Sequence, residues 1–306
     1  MIKSILFLLL TLLLGINYSS AQGCSDPGFC TTGSLGQLPT KFTAQPLDSL
    51  NGNKRMHSYR ITESVGVGED NVKIITSYLD VYLQLHERIQ FQIRGPIQMA
   101  RTKETKTVSL GDIFLINTIK ALEKDQHALQ VNVGVKLPTN QSNLTYKDSI
   151  LPMVYQTSLG TFDALLGITY TWMHRLGNLS GGFAYQQPFL HINHNKAPET
   201  KEFRRKADIL TRVDQVFNIK KKVDLGIGLL YIYHVKNDTR LDAMENRVEI
   251  EGSKGTTLNI TGLLNWYASK SFELGASFGV PLVTREAKPD GLTRKFVVNP
   301  YVQFNF

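Results

Sequence analysis

The sequence is poor in the features that mark a soluble enzyme or a helical membrane protein. It has two cysteines in 306 residues, Cys24 and Cys30. That excludes a multi-thiolate zinc module and a disulfide-dense small fold. Beyond the first fourteen residues no apolar run approaches the roughly 18 that a transmembrane helix needs. There is no glycine-rich phosphate loop, and no Gly-x-Ser-x-Gly turn to present a serine nucleophile. Acidic residues are in deficit, 26 against 34 basic ones, for a formal charge of +8. The excess is scattered through short runs such as Arg204-Arg205-Lys206 and Lys220-Lys221-Lys222. It forms no stripe, so no nucleic-acid partner is expected.

What is present begins with an export signal. Lys3 gives a positive start, Ile5 to Leu14 is apolar apart from Thr11, and Ser19-Ser20-Ala21 supplies small residues. This reads as a signal peptide over 1–21, cut after Ala21. The apolar run is too short to anchor the chain. Ala21-Gln22-Gly23 before Cys24 is a poor lipobox. Residues 22–55 are rich in Gly, Ser, Thr and Pro and carry little periodicity. They read as a periplasmic N-terminal segment that either hangs free or tucks into the rest as a plug. In an oxidising compartment Cys24 and Cys30 are expected to pair as a disulfide.

From residue 56 to 306 the pattern changes to alternation. Ile75, Leu79, Val81, Leu83 and Leu85 share one parity, with Thr76, Tyr78, Asp80, Tyr82 and Gln84 on the other. The same rhythm recurs at Ile89–Met99, Leu129–Leu137, Phe162–Trp172 and Phe272–Leu282. Period two puts the two sets on opposite faces of a strand. Twelve strands are predicted, at 56–67, 71–85, 89–101, 110–123, 127–138, 159–174, 179–194, 203–217, 222–237, 255–268, 271–284 and 294–306. Their links alternate in length: short at 86–88, 124–126, 175–178, 218–221 and 269–270, long at 102–109, 139–158, 195–202, 238–254 and 285–293. Only the first link, around Gly68-Glu69-Asp70, breaks the rule. Sorted loops and an even strand count describe a transmembrane antiparallel up-and-down β-barrel, all-β, in a bacterial outer membrane. A soluble sandwich would alternate too, but it has no reason to sort its loops. Trp172, Tyr231, Tyr233, Trp266 and Tyr267 suit interfacial girdles.

The last strand carries the same message. Phe296, Val298, Pro300, Val302, Phe304 and Phe306 share one face, with Asn299, Gln303 and Asn305 on the other. A strand that stops on Phe306, with Phe304 two residues before it, resembles the terminal signal read by the barrel-assembly machinery of Gram-negative bacteria.

Three short motifs add a family resemblance. Val108-Ser109-Leu110-Gly111-Asp112-Ile113 is similar to a "GLGD" strand start. Val135-Lys136-Leu137-Pro138-Thr139-Asn140 is similar to "KLPTG", with Asn140 for Gly, and Asn also tolerates a turn. Gln156-Thr157-Ser158-Leu159-Gly160-Thr161-Phe162-Asp163 is similar to "Q-x-G-T-G-S-F-D", with Ser158 and Leu159 departing from it. Arg94-Gly95-Pro96 stands where the pattern commonly has Leu-Pro. In this order they resemble the outer-membrane family labelled "MetA-pathway of phenol degradation", a transporter type. The likeness runs over about 75–306. It implies a barrel for passive passage of small, hydrophobic or aromatic molecules, with no cofactor. The Cys24 to Cys30 segment is similar to exported N-termini from Bacteroidetes-type bacteria.

The inward parity supplies the candidate lumen residues: Asp80, Arg94, Asp112, Lys136, Asp163, Asp208, Arg212, Asp214, Asp224 and Glu273. Both signs in one interior are expected either to line a solute path through a polar lumen or to fill a sealed core. In the second case the outer loops or residues 22–55 would engage a partner. An outer-membrane hydrolase is the third reading, but no Ser and His share a face at neighbouring positions of one strand, and none is predicted. His191 and His194, three apart on a strand, face opposite sides, so no metal is expected. The protein is expected to be a monomer in contact with outer-membrane lipids.

Overall fold

The computed structural model describes residues 57–67, 73–101, 106–140, 142–191, 201–219, 222–290 and 295–306. The signal peptide, the 22–55 segment with Cys24 and Cys30, the link at 68–70 and His194 lie outside the described residues. Among the described residues no helix is long and apolar enough to cross a membrane.

The chain forms β1 (Ser58–Val67), β2 (Lys73–His86), β3 (Ile89–Arg101), β4 (Lys106–Leu110), β5 (Ile113–Lys124), β6 (His127–Leu137), β7 (Thr145–Tyr146), β8 (Ser149–Ile150) and β9 (Thr161–His174). It continues through β10 (Gly177–His191), β11 (Lys201–Arg204), β12 (Asp208–Ile219), β13 (Val223–His234), β14 (Thr239–Leu241), β15 (Arg247–Glu249), β16 (Gly255–Tyr267), β17 (Phe272–Val283) and β18 (Val297–Asn305). Each long strand pairs antiparallel with the next, and β18 returns to pair with β1. The result is a closed barrel of twelve strands, β4 and β5 counting as one. Closure leaves no edge and pairs every ladder within the chain, as a bilayer demands.

The seam is tight. The His57 and Phe306 backbones exchange two hydrogen bonds of 2.9 Å. The Tyr59 and Phe304 rings stack outside it at 5.0 Å.

The outer face is apolar all round. Leu79, Ile97, Leu166, Ile168, Leu229, Leu264, Phe278 and Val298 are each more than two-fifths exposed. No soluble monomer carries a continuous apolar surface of this extent; it is the lipid belt of a membrane barrel. Trp172, Tyr231 and Trp266 stand on this face. Tyr267 does not. Its parity is that of Asn265, and its hydroxyl donates to Asp224 at 2.6 Å, so it is an interior residue and no part of a girdle.

Several strand pairs carry a register shift, and one further irregularity reverses the faces. The 102–109 link shrinks, because Lys106–Leu110 already pairs with Ile97–Arg101 as β4. Between that pairing and Arg94↔Phe114 the β3 side advances three residues and the other side four. The extra residue is a β-bulge at Gly111-Asp112. Pro96 opposite has no N–H to offer the ladder, and the Gly111 N–H donates to the Pro96 carbonyl at 2.8 Å. A Cβ at Gly111 would stand 2.7 Å from the Pro96 ring. The bulge reverses parity: Val108 and Leu110 face lipid, whereas Asp112, Phe114 and Ile116 face inward.

The described parts of the long loops gather at one end, the outer end by the loop rule. Loop 138–160 holds the hairpin of β7 and β8. Its Leu151 and Tyr155 pack on Ile74 and Ala100. The β13–β16 connection holds β14 and β15, which pair with β11 as a small sheet.

Candidate functional site: the barrel interior

The three sequence motifs meet in space. Asp112 from the bulge, Lys136 near the end of β6 and Asp163 at the start of β9 converge at the outer end. The Lys136 ammonium lies 3.2 Å from each carboxylate and donates to the Thr161 hydroxyl at 3.1 Å. Thr161 in turn donates to Asp163 at 2.6 Å. The Thr139 hydroxyl donates to the Gly111 carbonyl at 3.0 Å. The Asn140 amide donates to Ser109, to the Leu110 carbonyl and to Thr157. These separated segments thus share one local job: they fix the bulge and tie β5, β6 and β9 together. Asn140 does this with its side chain, which the glycine of the similar pattern lacks.

From that cluster a charged row runs down the inside. In register across neighbouring strands stand Asp163, Lys136, Phe114, Arg94, Asp80, Arg60, Gln303 and Glu273. Barrel strands tilt, so a row of paired residues climbs along the axis. This one passes from the outer end at β9 to the opposite end at β17. Arg94 grips Asp80 with two bonds, 2.6 and 3.0 Å, the forked geometry that suits a carboxylate. Gln92 adds a third bond to Asp80 at 2.7 Å. The Arg60 Nε donates to Gln303 at 2.8 Å across the seam. The Arg60 guanidinium also sits 4.3 Å from the Tyr301 ring centroid, a cation–π contact. Tyr301 donates to Glu273 at 2.9 Å. Asp80 and Arg94 are no more than 1% exposed.

The wall of β12, β13 and β16 is different. Arg212 donates to one oxygen of Asp214 at 2.5 Å. Among the described residues the other Asp214 oxygen has no partner, nor has the Thr261 hydroxyl. Both lie over the bare backbone of Gly228: a Cβ there would meet them at 2.0 and 2.9 Å. Two residues along the same face, both polar atoms of the Asn259 amide are also without partners. Asn259 is 1% exposed. Beside this patch the inward side chains turn apolar: Ala184, Leu210, Leu230 and Ile232 form one cluster; a second, Phe114, Ile116 and Leu165, lies on β5 and β9.

At the outer end a second ionic network spans three connections. Arg205 bonds Asp208, and reaches Asp290 at 3.2 Å. Arg285 bonds Asp290 at 2.5 Å, the Ser253 carbonyl at 2.9 Å, and stands 3.6 Å from Asp238. His234 joins Asp208 to Asp238 at 2.6 and 2.8 Å. Burial pushes the Asp290 carboxyl up, but Arg285 and Arg205 outweigh it and hold the group well below the usual carboxylate range.

All ten sequence-derived candidates face the interior. Five of them (Asp80, Arg94, Lys136, Asp163, Glu273) stand in the charged row, and Asp112 joins its outer end. Arg212 and Asp214 pair with each other, Asp208 belongs to the outer network, and Asp224 accepts from Tyr267 and Asn218. The selection missed Arg60, although Ser58-Tyr59-Arg60-Ile61 already alternates with Arg60 on the polar parity. It also missed Arg205, His234, Asp238, Arg285 and Asp290. Four of these come from loop or pre-strand segments, where no periodicity assigns a face.

No family model matches the chain, and no curated protein matches it in sequence. Solved structures do match. The chain is similar to an outer-membrane channel from Pseudomonas putida F1, with a TM-score of 0.61 and 13% identity over 86% of this chain and 99% of that one. It is also similar to the transport unit of the autotransporter AIDA-I from Escherichia coli, with a TM-score of 0.50 and 11% identity over 83% and 91%. At such identities the likeness is one of fold. The chain has the fold of a twelve-stranded bacterial outer-membrane β-barrel, with a lipid-facing belt and a charged, hydrogen-bonded interior.

Proposed function

We propose that the barrel gives small molecules passive passage across the outer membrane. The observation that carries this reading is the patch of Asp214, Asn259 and Thr261. Its inward polar atoms exceed what the described residues satisfy, and such groups are costly unless water or a solute meets them. The bare backbone of Gly228 leaves room for the Asp214 carboxylate and the Thr261 hydroxyl. The adjoining Leu210, Leu230 and Ile232 would accompany an apolar or aromatic portion of a solute, in line with the transporter family the three motifs resemble. Asp80, Arg94, Lys136, Asp163 and Glu273 would set charge preference from the facing wall. Phe304 and Phe306 are proposed as the assembly signal, and a monomer as the working unit.

Purified protein in planar bilayers is expected to give discrete conductance steps, and Asp214→Asn is expected to shift ion selectivity. Absence of steps together with absence of solute uptake into liposomes would sink the proposal.

A second reading is a sealed barrel that binds a partner through its outer loops. Near-complete burial of the Asp80–Arg94 pair favours it. Shortening loop 139–158 would then abolish binding without affecting any conductance.

A further inference from the structure

We propose that His234 is a proton-operated latch that closes the outer end of the barrel. The proposal goes beyond the passage reading and does not depend on it. His234 is the last residue of β13. Its Nδ1 lies 2.6 Å from an oxygen of Asp208, and its Nε2 lies 2.8 Å from an oxygen of Asp238. An ionised carboxylate only accepts hydrogen bonds, so both ring nitrogens must donate, and only the imidazolium has two N–H groups. The alternative is a proton on one aspartate. Arg205 on Asp208 and Arg285 beside Asp238 oppose it, because each guanidinium favours the ionised carboxylate.

Charge balance makes the arrangement sensitive. The groups facing His234 come from every element packed on it. Asp208 lies on β12 and Arg205 on the segment before it. Asp238 and Ser253 come from the β13–β16 loop, and Arg285 and Asp290 from the segment after β17. Behind Asp208 its register partner Gln186 donates to Asp163, and the Lys206 backbone N–H donates to Asp238. With His234 protonated, three cations (Arg205, Arg285, His234) face three anions (Asp208, Asp238, Asp290), all at most 3% exposed as side chains. Loss of the proton leaves one buried carboxylate uncompensated, and breaking such balance inside a protein is strongly unfavourable.

The strain has an outlet. The network holds two outer segments down: 235–254 through Asp238, whose backbone N–H donates to Ser253 at 2.8 Å, and 284–290 through Arg285 and Asp290. The two segments meet through the Ala287 N–H to the Gly252 carbonyl, 2.9 Å, and through Arg285 to the Ser253 carbonyl and Asp238. A small cavity lined by Arg205, Asp208, Ile232, His234, Gly255, Thr257 and Arg285 adjoins the ring, which gives water a place to enter. Raising the pH through the imidazolium titration is therefore expected to free 284–290 and uncover the outer mouth. Lowering it re-engages the latch.

The test uses the full-length barrel folded in lipid vesicles. A spin label is placed at Glu286→Cys, an exposed position of the segment, with Cys24→Ser and Cys30→Ser removing the native thiols. The spectrum is expected to shift from an immobilised to a mobile component as pH rises, and the midpoint should match the loss of the His234 imidazolium signal in nitrogen NMR of unsubstituted protein. His234→Gln should give the mobile component at every pH. A label that stays immobile while the ring deprotonates would overturn the latch. So would a transition that persists unchanged in His234→Gln. None of these readouts needs conductance, so a sealed barrel and a failed latch remain distinguishable.

Discussion

Two walls of the same interior differ in how far their charges are paired, although among the described residues Gln92 and Asp112 on the first wall also keep one unpartnered oxygen each. Along β1, β2, β3, β6 and β9, buried charges are matched: Arg94 with Asp80, Lys136 with Asp112 and Asp163, Arg60 with Gln303 and Tyr301. Along β12, β13 and β16, Asp214 is half matched, and Asn259 and Thr261 have no partner. The strands, the ladders and the alternation are alike on both sides. The difference teaches that facing inward does not give a residue its role; its neighbours in the register do. The matched wall behaves as a scaffold that happens to be polar. On the proposed reading, the unmatched wall keeps hydrogen-bonding capacity for a solute.

That contrast can be broken most forcefully at Arg94. Arg94→Ala leaves Asp80 buried without its ion, and a loss of about 3–5 kcal/mol is expected. Denaturant unfolding of vesicle-folded barrel reads it directly, and a loss under about 1 kcal/mol would mean water already reaches that wall. The outward face supplies the control. Leu229→Arg, on lipid beside the unmatched wall, is expected to cost about 2–4 kcal/mol in the same assay. A smaller response is expected inside that wall. Asn259→Leu removes two unpartnered polar atoms and should be neutral or stabilising by about 1 kcal/mol, while conductance falls. Marked destabilisation would show that the amide is structural and that the two walls do not differ. The smallest effect over ordinary pH belongs to Asp290. Its carboxyl is held below its unfolded value, so its contribution is present above that value and disappears only as pH falls through the depressed one. Cleavage after the exposed Glu286 by a glutamate-specific protease, followed on samples returned to neutral pH, should stay flat until strongly acid exposure. A rise already at mildly acid pH would contradict the arginine clamp.

Much of this was legible beforehand. Twelve strand positions follow from period two alone, because a strand between lipid and an aqueous or polar interior has no other way to sort its side chains. Asp80 and Arg94 fall on the inner face by parity, and so does Asn299. Two misjudgements have physical causes. Tyr267 was assigned to a girdle by residue type, whereas parity and Asp224 place it inside. The 102–109 link looked like a loop because the parity of Val108 and Leu110 clashes with that of Asp112 and Phe114. The bulge at Gly111 resolves the clash, and only the pairing opposite Pro96 reveals it. Arg205, Asp238, Arg285 and Asp290 carry no periodic signal at all, since they lie in segments without a fixed side-chain rhythm.

The sequence by itself determined which residues could face lipid and which could not, and the order in which strands would pair, because both depend on neighbours along the chain. Only the tertiary structure decided which inward charges meet. Register and strand tilt bring Asp163 of β9 to Lys136 of β6, and carry the row onward to Glu273 of β17. Strand register sets Asp208 against His234, and loop folding brings Asp238 and the Arg285–Asp290 pair to the same network. Those partnerships depend on distances across the barrel, and alternation along a strand contains no information about them.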